Sequence, residues 1–257
     1  TLQVPHLHLV TRPALLRPAD LEDLPLQVIA FPWVTRSIAF STLGMSGVDP
    51  NEVNKELSGR ISERVEGFIA ELDPDLPAIF TAHASVQGAV YGGERSIMLG
   101  RGVVLEGSLV KNPAFSYTAL GHIHKSQDLN KGAQPPVVYP GSIERLDFGE
   151  AGDDKFFVIA HIEKGRDTTV EWRKLSGRRF IDRTITLKTE ADAQAALWKK
   201  LPKSVDLEGA IFRLILEYPP QLEPFLDERS LRAYAEKAFE FHFIRRVQKE
   251  SRLRLPA

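Results

Sequence analysis

The sequence predicts a layered α/β protein followed by a smaller α+β unit, and three observations carry that expectation. Short apolar, β-branched runs (Leu26–Phe31, Ala78–Ala82, Tyr117–Leu120) have the length and composition of buried strands. A long stretch with apolar residues every three or four positions lies between the first two and reads as an amphipathic helix. From about residue 170 the strand–helix alternation starts again on a smaller scale.

In chain order, Leu7-His8-Leu9-Val10 is short and partly alternating and is expected as a strand. Leu26–Phe31 is closed by Pro32 and is expected as a buried strand. After Gly44 and Gly47, Asp49-Pro50 has the form of a cap followed by proline at the first helical position. Val53, Leu57, Ile61, Val65, Phe68, Ile69 and Leu72 then mark the helix, and Asp73-Pro74-Asp75 stops it. Ala78–Ala82 delivers His83 at its end, and a glycine-rich loop with Gly88, Gly92 and Gly93 follows. Tyr117–Leu120 delivers Gly121-His122-Ile123-His124, and Val137–Tyr139 leads into Pro140-Gly141-Ser142. Lys155–Ile162 is a long, mostly apolar strand. In the smaller unit the expected order is strand Arg183–Lys188, helix Glu190–Leu201, strand Ala210–Tyr218, a helix capped by Asp227 and reaching Ala238, and strand Glu240–Val247.

Composition narrows the chemistry. The 257 residues are 43% hydrophobic and 26% charged, which is globular and argues against disorder. The net charge of −1 makes no case for nucleic acid or an anionic membrane. That total conceals a balance of −6 over residues 1–169 and +5 over 170–257, consistent with a smaller part that meets an anion or simply with a solvated face. Arg245, Arg246, Lys249, Arg252 and Arg254 read equally as a terminal helix directed at a partner. There are no cysteines, so disulfides, thiolate metal sites and cysteine nucleophiles are excluded. No apolar run is long enough to span a bilayer and the first residues lack signal-peptide form, so a soluble, intracellular protein is the default expectation.

The seven histidines are placed unevenly. His83, His122 and His124 each follow a buried strand, where ligands gather in open α/β sheets. If the local backbone is extended, His122 and His124 face one locus, and neutral imidazole is a common ligand for divalent transition metals. The competing reading is a hydrogen-bonded structural histidine. His6 and His8 share the same spacing and read as structural, and His161 and His242 lie within strands. Three imidazoles bring no negative charge, so a two-ion centre also needs carboxylates. None of the strings Asp-x-His, Gly-Asp or Gly-Asn-His precedes the histidines. No Walker loop, dinucleotide fingerprint or nucleophile elbow is evident, and Gly100-Arg101-Gly102 is too short for a phosphate loop.

Four segments in order, Thr81–Ala89, Ala119–Lys125, Tyr139–Arg145 and Phe148-Gly149-Glu150 with Lys155, resemble the second half of the SbcD-type (meiotic-recombination-eleven-like) nucleases, within the calcineurin-like metallophosphoesterases. The resemblance covers residues 1–165, whereas 170–257 resemble that family's capping domain in layout more than in motif. It implies part of a layered metallophosphoesterase β-sandwich with flanking helices over 1–168 and a small α+β capping, DNA-binding domain over 169–257. It implies a site for two manganese ions, with magnesium as the alternative, in which His83 and His122 bind one ion and His124 the other. No catalytic residue beyond those ligands is implied within the chain. The other ligands, and the histidine that assists the leaving group, belong to motifs that precede these segments in the family. The chain is therefore expected to be a C-terminal portion, inactive by itself.

The implied activity is phosphodiester hydrolysis of DNA ends and hairpins in DNA repair, with an SbcC-type ATPase as partner, in the cytoplasm at the nucleoid and away from any membrane. Lys125 and Arg145 are candidate phosphate contacts, against the alternative of charged rim residues on a solvated loop. The resemblance leaves a homodimer possible, although much of the family's dimer surface lies in the preceding part. The alternatives are a calcineurin-like phosphoesterase acting on a nucleotide or phospho-metabolite, and a non-catalytic fragment that docks DNA or the ATPase.

Overall fold

The computed structural model describes residues 6–33, 53–92 and 104–248. The chain divides into two compact units, residues 1–143 with 154–175 and residues 144–153 with 176–257. The division falls after Leu175, and it takes Glu144–Asp153 into the second unit.

The first unit is built on a six-stranded sheet. Strands β1 (Ala14–Leu16), β2 (Gln27–Phe31), β3 (Ala78–His83), β6 (Tyr117–Gly121), β8 (Val137–Tyr139) and β7 (Gln127–Asp128) lie in that order. β2, β3, β6 and β8 are parallel, and β1 and β7 add antiparallel edges. The apolar runs form these strands because each buries β-branched or aromatic side chains against helix α1 (Val53–Ala70). From α1, Leu57, Ile61, Val65 and Phe68 close one core with Ile29, Phe31, Phe80, Leu120, Val137 and Tyr139 of the sheet. The Asp49-Pro50 start expected for this helix lies outside the described residues, as do Gly44, Gly47, Gly93 and Gly100-Arg101-Gly102.

Besides the short strands β1, β4 (Ser85–Val86), β5 (Val104–Leu105) and β7, which the sequence does not single out, two segments depart from expectation. Leu7–Val10 is not a strand, and Leu7 and Leu9 are 65% and 81% exposed; the run is too short to bury a face and pairs with no strand among the described residues. Thr169–Leu175, where no strand is expected, forms β10, antiparallel to β9 (Lys155–His161) along its whole length. Thr169, Val170 and Trp172 are strand-favouring, and charged residues alternate with apolar ones over Val170–Arg173, a half-buried strand pattern that pairing with β9 completes. The remaining elements of this unit are the short pair β4 (Ser85–Val86) and β5 (Val104–Leu105) and the one-turn helix α2 (Gly107–Val110).

The second unit is a three-stranded parallel sheet, β11 (Phe180–Thr186), β12 (Ile211–Tyr218) and β13 (Glu240–Val247), with β12 central. β11 begins three residues before the expected Arg183 because its register pairs Phe180 with Ile211. The expected helix over Glu190–Leu201 runs as a π turn (Asp192–Ala196) followed by α3 (Leu197–Lys200). Helix α4 (Glu228–Tyr234) starts on the Asp227 cap, whose carboxylate accepts from Ser230 N. It stops four residues before Ala238 because the next residues give their main-chain groups to the neighbouring turn. Gly209 N donates to Lys237 O, and Phe239 N donates to Ala210 O. Leu197, Leu207, Phe212, Leu214, Leu216 and Leu231 form this unit's separate core.

On the opposite face of this sheet Arg213 donates from Nε and Nη2 to both carboxylate oxygens of Asp182, at 2.9 and 2.5 Å, and stacks 4.1 Å from the centroid of Phe148. The hydrogen bonds from Arg213 hold the Asp182 carboxyl below its ordinary pKa. The pair therefore stabilises the fold fully above the ordinary carboxylate range, and the contribution is lost as pH falls below that range toward the lowered value. Asp182→Asn is expected to cost about 1 kcal/mol at pH 7, given the pair's partial exposure. It is also expected to flatten the loss of melting temperature below about pH 4. Acid melting curves of wild type and variant that run parallel would rule the pair out.

The terminal cations are not arranged as a helix where they are described. Arg245 and Arg246 lie in β13, Arg245 bonds to Glu223 and Glu228, and Arg246 bonds to Glu217. Lys249, Arg252 and Arg254 lie outside the described residues. Among the described residues no helix is long and apolar enough to cross a membrane.

Candidate metal centre

Parallel pairing of β3 with β6 sets His83 directly opposite Gly121, so the carboxyl ends of two central strands deliver the histidines to one place. Gly121 leaves room for that ring, because a Cβ would stand 3.0 Å from His83 Nδ1 and the imidazole would have to shift by a few tenths of an ångström. Immediately after it His122 takes φ of 100°, a conformation that costs a non-glycine residue on the order of 1–3 kcal/mol. The turn aims the His122 ring at His83, and His122 Nδ1 and His83 Nε2 share a hydrogen bond at 3.3 Å, as the competing structural reading of these histidines expects. Trp33, two residues beyond β2, covers both rings, tilted over His122 at 4.3 Å and edge-on to His83 at 5.7 Å between centroids.

Extended backbone, expected to turn His122 and His124 toward one locus, is not what this segment adopts, because the positive φ breaks the alternation. His124 is instead placed through its main chain. Its carbonyl accepts from Ser142 N at 3.1 Å and from Lys155 Nζ at 3.3 Å. The segment after β8 supports both histidine-bearing turns. Tyr139, fully buried, donates its hydroxyl to Ala84 O at 2.5 Å, just after His83, and Gly141-Ser142 packs on the carbonyl of His124. This accounts for the sequence Tyr-Pro-Gly-Ser in physical terms.

The nitrogens of His83 and His122 fit one divalent ion. Two ligands each about 2.1 Å from a metal stand roughly 3.0–3.4 Å apart at octahedral or tetrahedral angles, which includes the observed separation. Partial burial lowers the His83 pKa, which favours the neutral ring. Among the described residues no group of three His, Cys, Asp or Glu side chains is close enough to hold an ion, so the structure does not bring the His124 ring together with those of His83 and His122 as a three-ligand site.

The other candidates separate clearly. Lys125 is exposed on the turn after His124. Arg145 belongs to the second unit, where its guanidinium donates to Asp153 O at 2.5 Å and Arg178 O at 3.2 Å, so two of its donors hold main chain. Gly152-Asp153, a Gly-Asp pair downstream of the histidines, lies in that same unit. His242 pairs with Glu240 at 3.1 Å and meets Phe148 edge-on, and His6 bonds to Glu22, so both act structurally. Trp33 is the site residue that sequence reasoning misses. Its one signal is the Pro32-Trp33 pair directly after a buried strand, which says nothing about rings 50 and 89 residues further on.

A strained turn that sets paired imidazoles at the carboxyl edge of a parallel sheet marks an α/β domain of the class that gathers ligands at its strand ends. Sequence comparison gives this class a particular relative. Over 143 residues, 53% of the chain, it is 31% identical to SbcD, the nuclease component of SbcCD, from Escherichia coli (strain K12), and the same figures hold for the protein of that name from Escherichia coli O157:H7. The chain thus carries an SbcD-like region, and it spans about a third of the length of these relatives. No family model matches it.

Proposed function

We propose that the chain contributes half of the metal centre of a DNA nuclease subunit that acts in DNA repair with an SbcC-type ATPase and hydrolyses phosphodiester bonds at DNA ends. The observation that carries this reading is the His83–His122 pair, set at metal-ligand separation, in a chain similar to a nuclease subunit. His83 and His122 hold one ion and His124 joins a second, manganese being preferred, and a two-ion centre also needs carboxylate ligands. Bound divalent ions supply Lewis-acid polarisation of a phosphoryl oxygen and neutralise its charge. The chain's own residues supply neutral imidazole donors, hold them in a strained turn, and shield them with Trp33. Lys125, exposed beside the turn, contacts the phosphate backbone, so binding falls with salt and is nearly indifferent to sequence. The unit formed by residues 144–153 and 176–257 is the capping domain.

The test uses end-labelled linear duplex DNA with Mn2+. The 257-residue chain by itself is expected to release no nucleotides above background. Mixed with a segment that carries Asp-x-His, Gly-Asp and Gly-Asn-His, it is expected to degrade the duplex. Turnover by the chain alone contradicts the half-site. Cleavage of nucleotides or phospho-metabolites but not duplex would make it a small-molecule phosphoesterase, and DNA binding with no cleavage in any mixture would make it a docking module.

A further inference from the structure

Lys155 opens β9 and is 1% exposed, a burial that an ammonium tolerates only when its donors are used. Nζ donates to Ser142 Oγ at 2.8 Å and to His124 O at 3.3 Å. The same carbonyl accepts from Ser142 N at 3.1 Å, and it presses on Gly141, where a Cβ would stand only 2.5 Å away. Gly141 meets that contact with φ of 86°, which only glycine adopts without strain. An ammonium, an amide and a glycine thus converge on one oxygen, the carbonyl that ends Gly121-His122-Ile123-His124.

We infer that Lys155 is a positioning residue for that turn: its buried ammonium fixes the peptide after His124 and so sets the aim of the His124 ring. A hydrocarbon of the same size would fill the space at lower desolvation cost, so the charge is kept for its directed hydrogen bonds. Lys155 acts on the turn through the His124 carbonyl and the Ser142 hydroxyl that it holds. Positioning partners of this kind change metal affinity by 10–100-fold when removed. The inference rests on the metal reading of the three histidines, and the experiment separates the two.

The full chain is labelled with 15N-histidine and 13C-carbonyl histidine, and Mn2+ alone is titrated while ring and carbonyl resonances are followed. Near-UV circular dichroism confirms folding of each variant. In the wild-type chain Mn2+ is expected to broaden the rings of His83, His122 and His124 at low molar ratio. Lys155→Met is expected to shift the His124 carbonyl resonance and to raise by about tenfold the Mn2+ concentration that broadens its ring. Broadening of His83 and His122 should change less than twofold. Lys155→Arg, which keeps the charge, is expected to recover part of the loss, and if Lys155→Met does not fold it provides the same comparison. A folded Lys155 variant with an unmoved carbonyl and unchanged broadening overturns the positioning role and leaves the metal reading intact. Absence of specific broadening in the wild-type chain overturns the metal reading itself, and the positioning role with it.

Discussion

His122→Ala is expected to abolish metal-dependent DNA cleavage in any assembly in which this chain is active, and to weaken Mn2+ binding to the chain at least about 100-fold. Three observations set that size. The ring is one of two whose nitrogens stand 3.3 Å apart, so its loss removes half of the paired donors. The fold tolerates φ of 100° at this residue, a cost that alanine would keep without the benefit. Trp33 lies over the ring at 4.3 Å, so truncation also opens the site to water. Paramagnetic broadening of the His83 ring reports the binding loss, and end-labelled duplex reports the rate. His161→Ala, at an exposed position in β9, should change neither. Normal affinity and rate in His122→Ala would make its ring a structural feature of the turn.

Gly141→Ala is expected to destabilise the first unit by about 3 kcal/mol, a fall in melting temperature of roughly 6–12 °C. The methyl would be placed 2.5 Å from His124 O and 3.0 Å from Ser126 N, and neither is a side-chain end that can swing away. Gly132→Ala isolates that clash. Gly132 shares the left-handed conformation (φ 83°), but nothing lies within 4 Å of the Cβ it would gain, so only backbone strain of about 1 kcal/mol applies. Equal losses in the two variants would show that the close approach to the histidine turn carries no energy.

The apolar runs that became β2, β3, β6, β8, β9 and β12 were legible because buried strands concentrate apolar side chains locally. So was helix α1, whose three- and four-residue spacing reports one buried face over five turns. β10 was missed although Val170-Glu171-Trp172-Arg173 alternates apolar and charged residues as a half-buried strand does; the ladder with β9 fixes its register. The end of α4 was hidden, since it is decided by Gly209 and Ala210 bonding main-chain groups of Lys237 and Phe239, 28 and 29 residues further on.

At the candidate site, residue types and order in the sequence single out His83, His122 and His124, because strand ends followed by histidine can be read one segment at a time. How the rings are used could not be read that way. The parallel register that sets His83 against Gly121, the positive φ that turns His122 toward it, and the placement of Trp33 over both join residues 33, 83 and 122. The burial of Lys155 against the carbonyl of His124 likewise spans 31 residues. Local composition by itself determined which segments fold as strands and helix, since each reports its own burial. Tertiary packing decided the site, since hydrogen bonds and ring contacts between distant segments depend on the register in which those elements meet.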